Sequence, residues 1–512
     1  MPADPNANAA SSHDQPRLVI DCARIVIETT SPLSLGSGEA DGRYDVLLRR
    51  DANGLPVIPA TTLAGALRAE YALIASPELV ETVFGRARPE GSGRRAKRPV
   101  DSLAAAKREA SRLVVSDALV HDASDRPVDG LVLPGDRRIE ADAVLSRLLA
   151  EQPVLRDHVR LDHRGVADDR GKFDRGAVPA GCRFSFDLTL HHDGALGGEL
   201  DRIVELLRDG AIAFGGATKR GYGAVKLARF WRDTFPLRHP GKPGDAKALQ
   251  RYARWPVTLA DSPRDPPKVD PKPAQRDDII VITLHAVDGW RIGGGDRAMT
   301  TTRDGVKTPD ALPYAEARID WTRGSPLDRA RWQDHADIVV PGSSTRGALR
   351  HRTTFHLNVI LKRFAGAQLR DEPEPEEIET LFGSVKRDGD DDGTGRAGRL
   401  IVQDIRLPEA RLENWTLTHN AIDRFTGGTI DQVLFSEQLV WSGEKPLELR
   451  LRLRDAAAVP APVRLAFRRA LRDLVEARLP LGAAAAKGHG FMTGRWDPRF
   501  DAPGHWLAER ST

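Results

Sequence analysis

Ile338–Arg350, IVVPGSSTRGALR, decides how the rest of this 512-residue chain is read. An apolar, strand-like run ends in Pro341-Gly342, and Ser343, Ser344 and Thr345 then offer N-cap oxygens ahead of a helical pattern. Gly347 lets another backbone come close, and Arg346 and Arg350, four apart, share one helical face. Free helix N–H groups, hydroxyls and arginines together suit a phosphate backbone. Alone, the stretch also reads as an ordinary capped helix. A second copy changes that reading. Val57–Arg68, VIPATTLAGALR, repeats the proline, the hydroxyl pair Thr61 and Thr62, the glycine and the closing Arg68 in the same order.

Working outward, the other landmarks recur as well. An apolar strand opens each half, at Arg17–Thr30 and at Asp278–Leu284. Leu35–Gly38 is answered by Ile292–Asp296, and Val83-Phe84-Gly85 by Leu381-Phe382-Gly383. LVVSDAL from Leu113 and LIVQDI from Leu400 each place one aspartate after a strand. The polar stretch Val159–Val178 is answered by His419–Phe435, and Phe214–Gly223 (FGGATKRGYG) by Leu481–Gly490 (LGAAAAKGHG). Shared order over most of both halves makes the chain a tandem pair. The expected division is a disordered tail at 1–16, a first domain at 17–232, a Pro- and charge-rich linker at 233–277, a second domain at 278–497 and a C-terminal tail at 498–512. Gly91–Arg98 is basic and is read as flexible. Alternating strands and helices predict an α+β fold with helices on one sheet face. A ferredoxin-like (RRM-like) core is expected in each half, with a protruding hairpin at each polar stretch.

The 76 Lys and Arg residues nearly balance 73 Asp and Glu, so any nucleic-acid surface has to come from local patches. Two cysteines, Cys22 and Cys182, exclude a disulfide framework and a cysteine-rich structural zinc site, and point to a reduced, cytoplasmic setting. No apolar run is long enough to span a bilayer, so no membrane partner is expected.

The glycine loops carry the next candidates. Gly215, Gly216, Gly221 and Gly223 surround Thr218, Lys219 and Arg220, while Gly482, Gly488 and Gly490 surround Lys487 and His489. Glycine admits close backbone approach and the basic residues supply charge for phosphate. Neither loop has phosphate-loop or dinucleotide spacing. No helix pairs histidines for a metal, and no glycine-flanked serine elbow appears.

The order of PGSSxxGxxR, Phe-Gly, IDRxTGGT (Ile422–Thr429) and a terminal glycine loop resembles the RAMP superfamily of CRISPR-associated proteins. Within it, the chain is similar to the guide-binding (crRNA) backbone subunits of type III effector complexes, two of them fused. The resemblance covers 17–230 and 278–495. It departs from the family pattern in the first half, where PATT replaces PGSS and the hairpin lacks the IDRxTG wording. It implies a palm with a thumb hairpin, Val159–Val178 and His419–Phe435 being the thumbs, that binds guide RNA phosphates and interrupts pairing with a complementary target RNA. Thr61, Thr62, Arg68, Lys219, Arg220, Ser343, Ser344, Arg346, Arg350, Arg424, Lys487 and His489 are the RNA-binding candidates.

The resemblance also implies target cleavage by one loop aspartate per domain, with a divalent ion, Mg2+ or Mn2+, held in part by that residue. Asp45 takes that place in YDVLLRRDANGLPVIP, and Asp320 in EARIDWTRGSP, with Asp296 as its rival. Other subunits of the effector would be partners. Two further readings stay open: a guide-binding scaffold that does not cut, and a metal-independent guide-processing endoribonuclease using His419 or His489. The insertion between Asp296 and Asp337 reads as a solvated loop, as does the acidic run Asp388–Asp392.

Overall fold

The structure is a computed structural model that describes residues 18–38, 44–86, 110–133, 135–161, 167–208, 210, 212–237, 243–261, 263, 278–299, 308–322, 329–363, 375–384, 395–502 and 505–506. The expected N-terminal tail, Gly91–Arg98, Asp388–Asp392 and the first hairpin's tip at 162–166 lie outside the described residues.

The first half runs β1 (Leu18–Thr29), β2 (Val57–Ile58), α1 (Ala60–Tyr71), α2 (Pro77–Phe84), β3 (Leu113–Val115), β4 (Ala118–Val120), α3 (Arg138–Ala141), α4 (Leu145–Leu148), β5 (Val154–Leu161), β6 (Ala167–Ala177), β7 (Arg183–His192), α5 (Glu199–Arg208) and β8 (Val225–Leu237). Its sheet is ordered β2-β4-β7-β1-β8, with β3 also on β7. The second half follows α6 (Pro243–Ala253). It runs β9 (Ile279–Ala286), β10 (Ala315–Asp320), β11 (Arg331–Val340), α7 (Gly342–Ile360), α8 (Glu379–Phe382), β12 (Leu400–Val402), β13 (Ile405–Pro408), β14 (Glu413–His419), β15 (Phe435–Trp441), β16 (Leu447–Leu453), α9 (Ala461–Val475) and β17 (Met492–Trp496). Its main sheet is β12-β16-β9-β17. In each half the first strand lies between the third and fourth strands of a βαββαβ unit, which is the ferredoxin-like order.

Pattern explains the layering. Along β1, Ala23, Ile25 and Ile27 alternate into a core shared with Leu63, Leu67 and Tyr71 of α1 and with Leu200, Ile203 and Leu207 of α5. In the second half, Ile280, Ile282 and Leu284 of β9 meet Leu349 and Leu357 of α7 and Phe467 and Leu471 of α9.

Two expectations are corrected. First, the stretch read as a linker is structured at its start: β8 runs to Leu237, and α6 follows. The outer face of β1 and β8 is apolar, and Ile20, Cys22 and Phe235 are covered by Tyr252 and Trp255. The chain beyond is gripped by Arg24, which donates to the carbonyls of Pro256 (2.8 Å), Thr258 (2.7 Å) and Asp261 while pairing with Asp187. Second, the described part of the insertion is no solvated loop. β10 and β11 form a three-stranded sheet with β13 that docks on the first half. Between its charges stand Ile319 and Ala330, buried in the first half's core, and Trp321 and Trp332, whose Nε1–H groups donate to the carbonyls of Gly181 (2.7 Å) and Val144 (3.2 Å).

The seam between the halves is ionic at its centre. Arg156 of β5 pairs with Glu316 of β10 and, at 2.6 Å, with Asp404; Arg406 pairs with the same Glu316 at 2.5 Å and with Asp337 at 3.1 Å. Burial opposes ionisation of Glu316, but Arg156 and Arg406 beside it hold its carboxyl down at about 2.

Candidate nucleic-acid interface

Each PxxT/S helix starts directly after its proline, at Ala60 and at Gly342, and the N-cap residue of each is that proline, which offers no side-chain cap. The expected N-cap role of Ser343, Ser344 and Thr345 is therefore corrected. Asp404, the aspartate after β12, accepts from the Gly342 N–H at 2.8 Å, and Asp117, after β3, accepts from Ala60 at 2.7 Å. A carboxylate complements the positive end of the helix better than a hydroxyl, which explains why one aspartate follows each strand. The hydroxyl residues fall in the first turn instead. Thr61 and Ser344 are exposed, Thr62 and Ser343 half-buried, and Thr345 buried, its Oγ1 without a partner among the described residues. Among the described residues no backbone approaches Gly347 or Gly65. A Cβ there would meet nothing within 4 Å, so each leaves a bare patch on its helix.

Arg68 and Arg350, expected on phosphate, each donate to the carbonyl of the Phe-Gly landmark: Gly85 at 2.6 Å and Gly383 at 3.1 Å. Both glycines end short helices with positive φ, 79° and 75°. The Arg and the Phe-Gly thus recur together because they are bonded to one another.

The glycine loops have the same shape. Ala217 and Ala484 are left-handed (φ 55° and 62°), a 3-10 turn follows each, and Gly221 and Gly488 return left-handed (φ 96° and 91°). Their settings differ. The first loop is pressed into the seam, where a Cβ on Gly221 would overlap the Asp404 carboxylate, whereas Gly488 faces open space. At the seam Lys219 donates to the Gly398 carbonyl and Arg346 to the Phe382 carbonyl. Burial, and then Arg454, Arg346 and Arg399, push Lys219 down to about 8. Burial, and then Arg220 and Arg350, push Arg346 down to about 9; burial, Arg175 and Arg350 lower Arg220 as well. Among the described residues no carboxylate forms an ion pair with Lys219, Arg220 or Arg346. Half-buried cations whose nearest charges are other cations are costly unless an anion joins them. At the second loop, Lys487 instead lies 3.1 Å from Glu437 and 4.4 Å over the Phe435 ring, and His489 is buried, its Nδ1 without a partner among the described residues.

The hairpins β5–β6 and β14–β15 also match each other. His158 stacks on Phe173 at 4.9 Å, and His419 on Phe435 at 5.0 Å. Burial, then Arg156, Arg220 and Arg175, push His158 down to about 4, so it is neutral at pH 7, with Nε2 2.7 Å from the Tyr222 hydroxyl. His419 Nε2 lies 2.6 Å from Glu437. On the second tip Phe425 is 86% exposed, with Arg424 over its ring at 5.3 Å and Ile422 and Leu434 also exposed.

The aspartates separate. Asp45 is exposed and exchanges bonds with β6: its N–H donates to Asp174 Oδ1 at 3.0 Å, and the Asp174 N–H donates to Asp45 Oδ2 at 2.9 Å. Asp320 does not occupy the matching place. It is buried, Oδ1 accepting from the Thr322 N–H (2.9 Å) and hydroxyl (2.6 Å) and Oδ2 from Gln333 (2.8 Å), inside the sheet that clamps the halves. Asp296 is exposed just after Gly295. The residue that stands where Asp45 does is Asp310, which the sequence reading missed. It is exposed, its N–H donates to Ser436 Oγ at 3.3 Å, and its Oδ2 accepts from the Ser436 N–H (2.8 Å) and hydroxyl (3.0 Å). The signal was Pro309-Asp310-Ala311-Leu312 against Tyr44-Asp45-Val46-Leu47. Among the described residues no group of three or more His, Cys, Asp or Glu could hold a metal ion, and no helix is long and apolar enough to cross a membrane.

Paired ferredoxin-like sheets, each with a projecting hairpin, and a cation-lined seam between them define the class. The RAMP superfamily model matches residues 26–226 and 283–493, and the chain belongs to that superfamily. Membership suggests a CRISPR-associated RNA-binding subunit. A comparison with curated proteins finds no match.

Proposed function

We propose that the chain is a tandem backbone subunit of a type III CRISPR RNA-guided effector, cytoplasmic, that binds guide RNA across the seam between its halves and cleaves complementary target RNA. The observation that carries it is the cluster of Lys219, Arg220 and Arg346. These cations lie beside one another and beside other arginines, with no carboxylate partner among the described residues. A phosphate backbone supplies the missing charge without reading sequence. The exposed Phe425 tip suits a wedge between stacked bases.

For cleavage the structure favours Asp45 and Asp310, because both are exposed and both are bonded to the second strand of a hairpin, Asp45 to Asp174 of β6 and Asp310 to Ser436 of β15. Asp320 is withdrawn from that role by its burial and its satisfied oxygens. A hard divalent ion takes oxygen ligands, and the donors fit: the exposed carboxylates of Asp45 in the first domain and Asp310 in the second, with RNA and water completing the shell. Such an ion, when bound, would offset charge on the scissile phosphate. The test assembles the protein with guide RNA, labelled target RNA and Mg2+, and maps products for Asp45→Ala, Asp310→Ala and Asp320→Ala. Loss of one distinct cut for each of the first two, with guide binding intact and both cuts kept by Asp320→Ala, is expected. Unchanged cutting by Asp45→Ala and Asp310→Ala would leave the non-cutting scaffold as the reading.

A further inference from the structure

We propose that Asp174 and Ser436 are positioning residues that lock the loop aspartates Asp45 and Asp310 onto the second strands of their hairpins, β6 and β15; the inference rests on the cleavage reading above. Both stand one residue after the stacked aromatics Phe173 and Phe435. Both make a reciprocal contact, each partner's backbone N–H donating to the other's side chain, at 3.0 and 2.9 Å in the first domain and 3.3 and 2.8 Å in the second. An exposed carboxylate on a loop samples several rotamers, and holding one oxygen and its own backbone N–H fixes where the other oxygen lies. Asp45 Oδ1 has no partner among the described residues, so the held carboxylate keeps one oxygen for a ligand. Since β6 and β15 each form one side of a hairpin, the lock ties the carboxylate to the element that enters the duplex.

The two locks are unequal. In the second domain Ala311 also bridges Glu437 in parallel register, its N–H donating to the Ser436 carbonyl at 3.0 Å and its carbonyl accepting from Gln438 at 2.9 Å. Val46, the counterpart of Ala311, makes no such bridge to Arg175 among the described residues. The first site therefore depends more on its side chain.

The test uses the full protein with guide RNA and saturating target, reading single-turnover rates at both cuts. Asp174→Ala is expected to slow the first-domain cut at least about tenfold, with guide and target affinity and the second cut unchanged. Asp174→Ser, which installs the second domain's solution, is expected to restore the rate to within about threefold, a rescue that loss of folding would not show. Ser436→Ala is expected to slow only the second cut, and by less. The proposal is overturned if Asp45→Ala abolishes the first cut while Asp174→Ala leaves it at the wild-type rate, or if Asp174→Ser is as slow as Asp174→Ala. If Asp45→Ala and Asp310→Ala both cut normally, the cleavage reading falls and this one falls with it.

Discussion

Guide binding by this protein should weaken as pH rises through 8, and Lys219 should be the reason. Burial and three neighbouring arginines bring Lys219 from 10.5 to about 8 in the free protein. A phosphate placed against it removes that penalty and returns the amine toward its ordinary value, so binding takes up a proton. With a free value near 8 and a bound value near 10.5, the affinity falls about tenfold between pH 7 and pH 9, worth about 1.4 kcal/mol. Folding runs the opposite way. Between 8 and 10.5 the unfolded chain keeps the Lys219 proton that the free folded protein has lost, so this group's contribution to stability rises with pH. Fluorescence anisotropy with a labelled guide at constant salt measures the first effect and urea melts the second. Lys219→Arg should flatten the pH dependence while keeping the charge, and Lys219→Met should flatten it and reduce the salt slope by about 0.7. Equal wild-type affinity at pH 7 and 9, or an undiminished fall in Lys219→Arg, would refute the reasoning.

Other outcomes follow from the seam and the corrected sites. Arg156→Met leaves Glu316 and Asp404 buried without their shared cation and should cost about 3–5 kcal/mol in chemical denaturation. Gly221→Ala, at φ 96° and facing the Asp404 carboxylate, should spread the halves, seen as a larger radius by small-angle scattering and as weaker guide binding. Asp320→Ala should keep both cuts yet lose about 1–3 kcal/mol of stability, because Thr322 and Gln333 lose their acceptor. Phe425→Ala should leave the melting temperature unchanged while altering target cleavage at the second hairpin, read on a denaturing gel.

The duplication and the ferredoxin-like core were legible because they live in local pattern: alternating Ile and Val in β1 and β9, and glycines at positive φ in matching loops. What escaped lies in contacts between distant positions. Beyond the short match of Pro309–Leu312 to Tyr44–Leu47, what sets Asp310 apart from Asp320 is a partner 126 residues away on β15. The strand-like run before Asp320 drew attention for a sound reason, since β10 is a strand, but its purpose is to clamp the first half. Likewise Ser343 and Ser344 look like caps until Asp404 arrives from 62 residues downstream. Arg68 and Arg350 look like ligands for phosphate until the Phe-Gly carbonyl claims one N–H of each.

Trp321 and Trp332 have a consequence for how such a gene can change. Because the second half contributes side chains to the first half's interior, the join between them is more than a tether. Cutting the chain between Asp261 and Asp278 would leave a tightly held pair, whereas exchanging one half for that of a distant homologue would strip indoles and arginines from sockets shaped for them. The two halves therefore have to change together wherever these contacts are made.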